Sequence, residues 1–258
     1  MPKKPLILVT NDDGITAPGI RTLIRLMNAI GDVVVVAPDS PQSGMGHAIT
    51  VNTTLQVKPE RVDNGPQREY STSGTPADCV KLAKHEVLDR IPDICVSGIN
   101  HGSNSSINVL YSGTMSAAIE AGIEGIPAIG FSLCDYNWDA DFKPIEEHVT
   151  TIVKKVIENG LPEGIILNVN FPKLDGQPLK GIKVCRQAKA NWVEEFDKRR
   201  NPQGKEYYWL TGKFVSFDDD DDTDEWALNN GYASVVPVTY DLTAKHFIEQ
   251  LNSWNLND

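Results

Sequence analysis

A chain of 258 residues is long enough to bury a substantial core as one large domain. Its 24 Lys and Arg against 35 Asp and Glu give a formal charge of −11, which opposes broad binding to nucleic-acid polymers or anionic membranes while leaving room for a local positive pocket. No apolar run approaches the roughly 18 residues of a membrane-spanning helix. The start, Met1-Pro2-Lys3-Lys4-Pro5, has no apolar signal region, and Cys79, Cys95, Cys134 and Cys185 lie far apart without a Cys-x-x-Cys pair, so a cytoplasmic protein with reduced thiols is expected.

The first element, Leu6–Val9, is a short uninterrupted apolar run that predicts a strand buried on both faces of a parallel sheet. It ends in Thr10-Asn11-Asp12-Asp13-Gly14, which places two adjacent carboxylates at a strand's carboxyl end, where open α/β sheets bind ligands. Two such carboxylates repel unless a cation or proton relieves them, and hard oxygen ligands favour Mg²⁺, Mn²⁺ or Ca²⁺ over zinc. The competing reading is a surface turn that caps the next helix. Ala17–Ile30 has helical apolar spacing with Pro18 near its start, Gly31 stops it, and Val33–Ala37 is the second strand. A polar loop from Pro38 to His47 follows, with Ser43, Gly44 and Gly46 at a second strand end; it has neither a dinucleotide fingerprint nor a Walker lysine.

Ala48–Val57 reads as an extended ribbon and Glu69–Thr72 as a strand. Thr75, Pro76 and Asp78 then write a helix start, running to about Asp89. Ile94–Ser97 is the next buried strand, leading into Asn100, His101 and Asn104. A small-residue helix opens at Tyr111-Ser112-Gly113-Thr114 and continues through Glu120. Ser-Gly-Thr thus occurs twice before a helix, where unpaired amides and the positive dipole end suit an anion; plain capping is the alternative. Pro127–Ser132 is a fifth strand, Ile145–Asn159 an amphipathic helix and Ile165–Val169 a sixth strand. This alternation predicts an α/β fold, a Rossmann-like doubly wound and mainly parallel sheet. It forms a single domain, with a core of about residues 1–180 and an extension of about 181–258. In that extension, extended segments at Gly181–Arg186 and Lys205–Phe217, with aromatics Trp192, Phe196, Tyr207, Tyr208 and Trp209, suit a β-hairpin arm reaching a partner subunit or covering a site. Asp218–Asp222 reads as solvated loop, Tyr232–Val238 as a last strand and Leu242–Leu251 as a terminal helix.

The strand ends and helix starts gather Asp12, Asp13, Ser43, Asn100, Thr75, Ser112, Gly113 and Thr114. Two carboxylates, an amide oxygen and a hydroxyl suit Mg²⁺ or Mn²⁺ acting on a phosphoryl group. In-line attack by water and direct attack by an aspartate are both open, although the Asp-x-Asp-x-Thr pattern of aspartyl-phosphate chemistry is absent. His47 and His101 lie beside this set and are candidates for protonating a leaving alkoxide. His85, His148 and His246 fall in helices without a chemical setting.

Five ordered motifs carry a resemblance. They are Val9-Thr10-Asn11-Asp12-Asp13-Gly14; Ala37-Pro38-Asp39 with Ser43-Gly44; Gly74-Thr75-Pro76-Ala77-Asp78-Cys79-Val80; Ser97-Gly98-Ile99-Asn100-x-Gly102-x-Asn104; and Tyr111-Ser112-Gly113-Thr114. Over nearly the whole chain the sequence resembles the SurE survival-protein family. The resemblance implies a metal-dependent nucleotidase that frees phosphate from nucleoside 5′- and often 3′-monophosphates, in some members also from short polyphosphate. It implies one divalent cation per subunit, Mg²⁺ or Mn²⁺, held by Asp12, Asp13, Ser43 and Asn100. Catalysis is expected from Asp12, Asp13 and Asn100, and phosphate or substrate binding from Asn11, Gly44, Thr75, Asn104, Ser112, Gly113 and Thr114. A homodimer or homotetramer with exchanged carboxyl-terminal elements is also implied. The family usually has glycine at Ser106, valine at Met115 and threonine at Val236. A polyphosphatase and a non-catalytic nucleotide- or metal-binding regulator are the rival readings.

Overall fold

The computed structural model describes residues 4–254 and 256; of the amino-terminal stretch discussed above, Met1–Lys3 lie outside the described residues. Its centre is a nine-stranded sheet made of β1 (Leu6–Thr10), β2 (Asp32–Pro38), β3 (Val57–Glu60), β4 (Arg68–Thr72), β5 (Ile94–His101), β6 (Ala128–Leu133), β7 (Ile165–Phe171), β8 (Ile182–Val184) and the late strand Ala233–Thr239. The helices are α1 (Pro18–Asn28), α2 (Pro76–Leu82), α3 (Gly113–Ile123), α4 (Glu146–Asn159), α5 (Asp224–Asn229) and α6 (Ile248–Asn252). A separate antiparallel hairpin pairs β9 (Ala190–Arg200) with β10 (Glu206–Ser216), so the late strand is β11. The sheet order is β3-β4-β2-β1-β5-β6-β7-β11-β8. The six central strands β4-β2-β1-β5-β6-β7 are mutually parallel, β3 runs antiparallel to β4, β11 runs antiparallel to β7, and β8 lies parallel to β11. The expected α/β architecture is therefore present.

Residue alternation decides which helix covers which face. Ile7, Val9, Val33 and Val35 pack with Ile20, Leu23, Ile24 and Met27 of α1 and with Val149 and Val153 of α4. Leu6, Leu8, Val34 and Val36 point the other way, toward Cys79 and Val80 of α2 and Ala117, Ala118 and Ala121 of α3. Small residues along α3 let it lie close to β6: the Met115 sulfur occupies the space where a side chain on Gly130 would stand. Such a sheet, apolar on both faces, leaves only strand ends for polar chemistry. Among the described residues no helix is long and apolar enough to cross a membrane.

Several sequence expectations change in detail. The segment expected to run helically to Asp89 leaves the α-helix at Leu82 and completes a π-turn over Ala83–Val87. Only Val57 of the expected Ala48–Val57 ribbon is in a strand. Ile182–Val184 does not belong to the arm; it is the edge strand of the main sheet beside β11, so the sheet continues past residue 180. The true partner of Glu206–Ser216 is Ala190–Arg200, whose mixed aromatics and charges hide a two-residue alternation. The terminal helix is reduced to a 3₁₀ turn at Lys245–Phe247 and the short α6. The five aspartates are also more than solvated loop, because Arg186 pairs with Asp218, Asp220 and Asp222.

Candidate active site

Three segments close on the residues that follow β1. From the loop after β2, the Gln42 amide donates to the Asp12 carbonyl at 2.7 Å and the Ile15 amide to the Pro38 carbonyl at 2.9 Å. Ser43 and Gly44 therefore directly follow a residue tied to Asp12, and both are exposed. From β5, which loses register with β6 between Ser97 and Asn100, the His101 amide donates to Asp13 Oδ2 at 3.3 Å. Gly98 makes that departure possible: its φ is +118°, and a side chain there would come 2.3 Å from the Phe131 carbonyl oxygen. From the start of α3, the Thr114 hydroxyl donates to Asp12 Oδ1 at 2.5 Å. Gly113 lies against the same carboxylate, so that a Cβ on it would meet Asp12 Cβ at 2.6 Å. On its far side the loop is bridged to this turn, with the Gly46 amide donating to the Tyr111 carbonyl at 3.2 Å.

Burial sets the electrostatics. Asp12 is only 4 % exposed. Desolvation, and after it the neighbouring charge of Asp13, push its pKa up to about 6 against the pull of Thr114. Asp13 is raised as well, again chiefly by burial, with the His101 amide opposing. Burial thus penalises the charged form of both carboxylates, a cost that a cation would relieve. Asn100 donates its side-chain N–H to the Gly102 carbonyl at 3.0 Å, which leaves the lone pairs of its amide oxygen to coordinate a cation. Among the described residues no cluster of three or more His, Cys, Asp or Glu side chains suits a metal. A cation here would draw on two carboxylates, an amide oxygen and a hydroxyl. That all-oxygen set, built on two carboxylates that burial disfavours as anions, fits a hard divalent ion.

The remaining expected residues divide by their hydrogen bonds. Ser112 caps α3, its hydroxyl accepting from the Met115 amide at 3.0 Å. Asn11 closes the turn by donating to the Gly14 carbonyl at 2.9 Å, while its own side-chain oxygen is buried without a partner. Thr114, expected at the phosphate, donates its hydroxyl to Asp12. Thr75 forms the complete capping box with Asp78 and donates its hydroxyl to the Ala48 carbonyl at 2.7 Å. Asn104 is committed to a buried polar ladder: its amide donates to Asn170 Oδ1, its side chain to Ser132 Oγ, and its carbonyl accepts from Asn168, each at 2.8 Å. The signal for that ladder is the Asn168-x-Asn170 pair, two amides on one face of an otherwise apolar strand.

The histidines are spoken for in other ways. His47 Nε2 pairs with Glu120 Oε2 at 2.7 Å, on a carboxylate that also holds Lys81. The His101 ring contacts the Asn137 carbonyl through Nδ1 at 2.8 Å and stacks on Trp138, so it is the backbone of His101 that serves Asp13. The three departures noted in the sequence also find places. Ser106 has φ +51°, the region glycine adopts freely, and its hydroxyl donates to the Ala188 carbonyl at 2.9 Å. Met115 fills the notch over Gly130, and Val236 is buried with Cys185 and Ala227.

Known proteins resemble this chain over nearly its whole length. The family described as "Survival protein SurE" matches residues 7–194. The chain is 69 % identical over 257 residues to the 5′-nucleotidase SurE of Christiangramia forsetii, covering 99 % of each chain. It is 66 % identical over 254 residues to the protein of the same name from Flavobacterium psychrophilum, covering 98 % of this chain and 99 % of that one. Among solved structures, the crystal structure of the SurE protein from Aquifex aeolicus superposes with a TM-score of 0.83 at 40 % identity, over 97 % of this chain and 99 % of that one.

Proposed function

Because the chain belongs to the SurE survival-protein family, we propose that it is a 5′-nucleotidase. It is a phosphoric monoester hydrolase that frees inorganic phosphate from nucleoside 5′-monophosphates by attack of water, with 3′-monophosphates and short polyphosphate as further substrates. The observation that carries the reading is the Asp12–Asp13 pair at the end of β1, packed against the amino terminus of α3 by Thr114 and Gly113. An anion-binding helix end beside two carboxylates needs a cation between them for a phosphate to approach.

Asp12, Asp13, the Asn100 amide oxygen and the Ser43 hydroxyl would hold one Mg²⁺ or Mn²⁺ per subunit. When bound, such a cation supplies charge neutralisation and Lewis-acid polarisation of the phosphoryl group. The chain does the rest by positioning. Thr114 orients the Asp12 carboxylate, the His101 amide orients Asp13, and Gly113 keeps backbone rather than side chain at the helix end. The positive end of the α3 dipole faces the charge that develops as the P–O bond to the nucleoside breaks.

The exposed hairpin aromatics Phe196, Tyr208 and Trp209 support a homodimer or homotetramer joined through the arm. The four free thiols suit a reducing, cytoplasmic setting. The test is phosphate release from nucleoside 5′- and 3′-monophosphates and from tripolyphosphate, with Mg²⁺, with Mn²⁺ and with chelator. Metal-dependent release from the monophosphates, lost in Asp12→Asn, is the expected result. Nucleotide binding without release from any substrate would instead make the protein a regulator.

A further inference from the structure

One buried acid takes no part in the chemistry above. Glu120 lies on α3 with its side chain only 4 % exposed, and two nitrogen donors meet it there. Its Oε2 pairs with His47 Nε2 at 2.7 Å and its Oε1 with Lys81 Nζ of α2 at 2.5 Å. Burial alone would raise the Glu120 pKa, but these two partners hold it below the ordinary value. A buried charge is costly unless it is paired, so both pairings are strongly preferred.

His47 ends the loop that carries Ser43, and that loop is pinned on both sides of a short arc. On one side the Gln42 amide is bonded to the Asp12 carbonyl. On the other, Gly46 is bonded to Tyr111, His47 to Glu120, and the Ala48 carbonyl accepts the Thr75 hydroxyl at 2.7 Å. Ser43, Gly44 and Met45 between them are exposed, and a side chain on Gly44 would meet nothing within 4 Å. The arc makes little packing of its own, so its shape follows from where its ends are held. Of the contacts on the return side, only that of His47 is made to a charged group, the stronger kind of hydrogen bond. Four residues of chain span at most about 14 Å, which keeps Ser43 close to a fixed His47.

The same helix carries Thr114, which orients Asp12 and stands one and a half turns, about 9 Å, before Glu120. A single rigid element therefore holds the Asp12 carboxylate at its first turn and the Ser43 loop near its middle. We propose that Glu120 is a positioning residue for the cation, holding Ser43 through His47 at a set distance from Asp12. The inference rests on Asp12 and Ser43 being cation ligands.

The experiment is Mn²⁺ binding to the full-length, metal-free protein without nucleotide, read by electron paramagnetic resonance of the free ion. The His47 side chain is 32 % exposed, so its variants leave the core intact. His47→Ala should weaken Mn²⁺ binding about tenfold, the low end of what groups supporting a metal ligand are worth. His47→Gln, whose amide N–H stands in for Nε2, should stay within about twofold of wild type. In a Ser43→Ala background, itself weakened, His47→Ala should add no further loss, because no hydroxyl remains to be positioned. Glu120→Ala should match His47→Ala, and the double variant should be no weaker than either. If Glu120→Ala does not fold, the His47 series decides. Wild-type binding in His47→Ala, or the same added loss with and without the Ser43 hydroxyl, overturns the proposal and leaves the ligands standing. A Ser43→Ala protein that binds Mn²⁺ as tightly as wild type removes Ser43 from the ligands and overturns the proposal with it.

Discussion

Thr114 reaches across 102 residues of sequence to donate its hydroxyl to Asp12 Oδ1. The anion held at the start of α3 is thus the protein's own carboxylate, and Thr114 is a positioning residue for it. Removing the hydroxyl in Thr114→Val takes away a bond that holds the Asp12 pKa down, so that pKa must rise above its present value of about 6. The acid limb of the kcat/KM profile should move to higher pH, and activity at pH 7 should fall on the order of tenfold. Thr114→Ser should restore both. A profile that keeps its acid limb in Thr114→Val would show that the bond does not govern Asp12.

The strained carboxylate makes a stability prediction for metal-free protein. Asp12 has its folded pKa raised from 3.8 to about 6, so the native state binds the proton more tightly than the unfolded chain. Its stabilising contribution is complete below about pH 4 and is lost as pH rises through 6, a swing of about 3 kcal/mol at most. With chelator present, Asp12→Asn should remove most of that slope and melt higher than wild type at pH 7, while losing turnover. An Asp12→Asn protein that melts lower at pH 7 would show that the carboxylate is not a source of strain.

Gly113 tests the close approach of α3. A methyl group at this position would stand 2.6 Å from Asp12 Cβ and 2.9 Å from Asp12 Oδ2, so either the helix start or the carboxylate must shift. Displacements of this size at a reacting centre cost about a hundredfold in rate. Gly113→Ala should therefore lose about that much kcat/KM while keeping its circular dichroism spectrum. Wild-type turnover would show that the contact is slack.

Asn104 should behave as a structural residue. It joins Ser132, Asn168 and Asn170 in a buried ladder, and removing one member leaves polar groups unpaired at about 1–3 kcal/mol. Asn104→Ala should lower the melting temperature by several degrees in chelated protein, where no substrate contact is involved. An unchanged melt with a raised KM would return Asn104 to substrate binding.

Much of this was legible in the chain because it depends on neighbours. The apolar runs of β1, β2 and β5, the capping box of Thr75 and Asp78 and the Asp12–Asp13 turn follow from side-chain periodicity and from donors and acceptors within a few residues. Those forces act within one element, so reading along the sequence is enough. Tertiary structure decided the rest. It chose Asp12 as the acceptor for Thr114, drew Asn104 into a ladder with two strands, set Ala190–Arg200 rather than Gly181–Arg186 against Glu206–Ser216, and wrapped three of the five aspartates around Arg186. A hydroxyl, an amide or a guanidinium can satisfy itself with many partners of equal chemistry. Only the folded chain brings one of them within hydrogen-bond distance, and at Asp12 and Asn104, which are buried, that pairing is then costly to break.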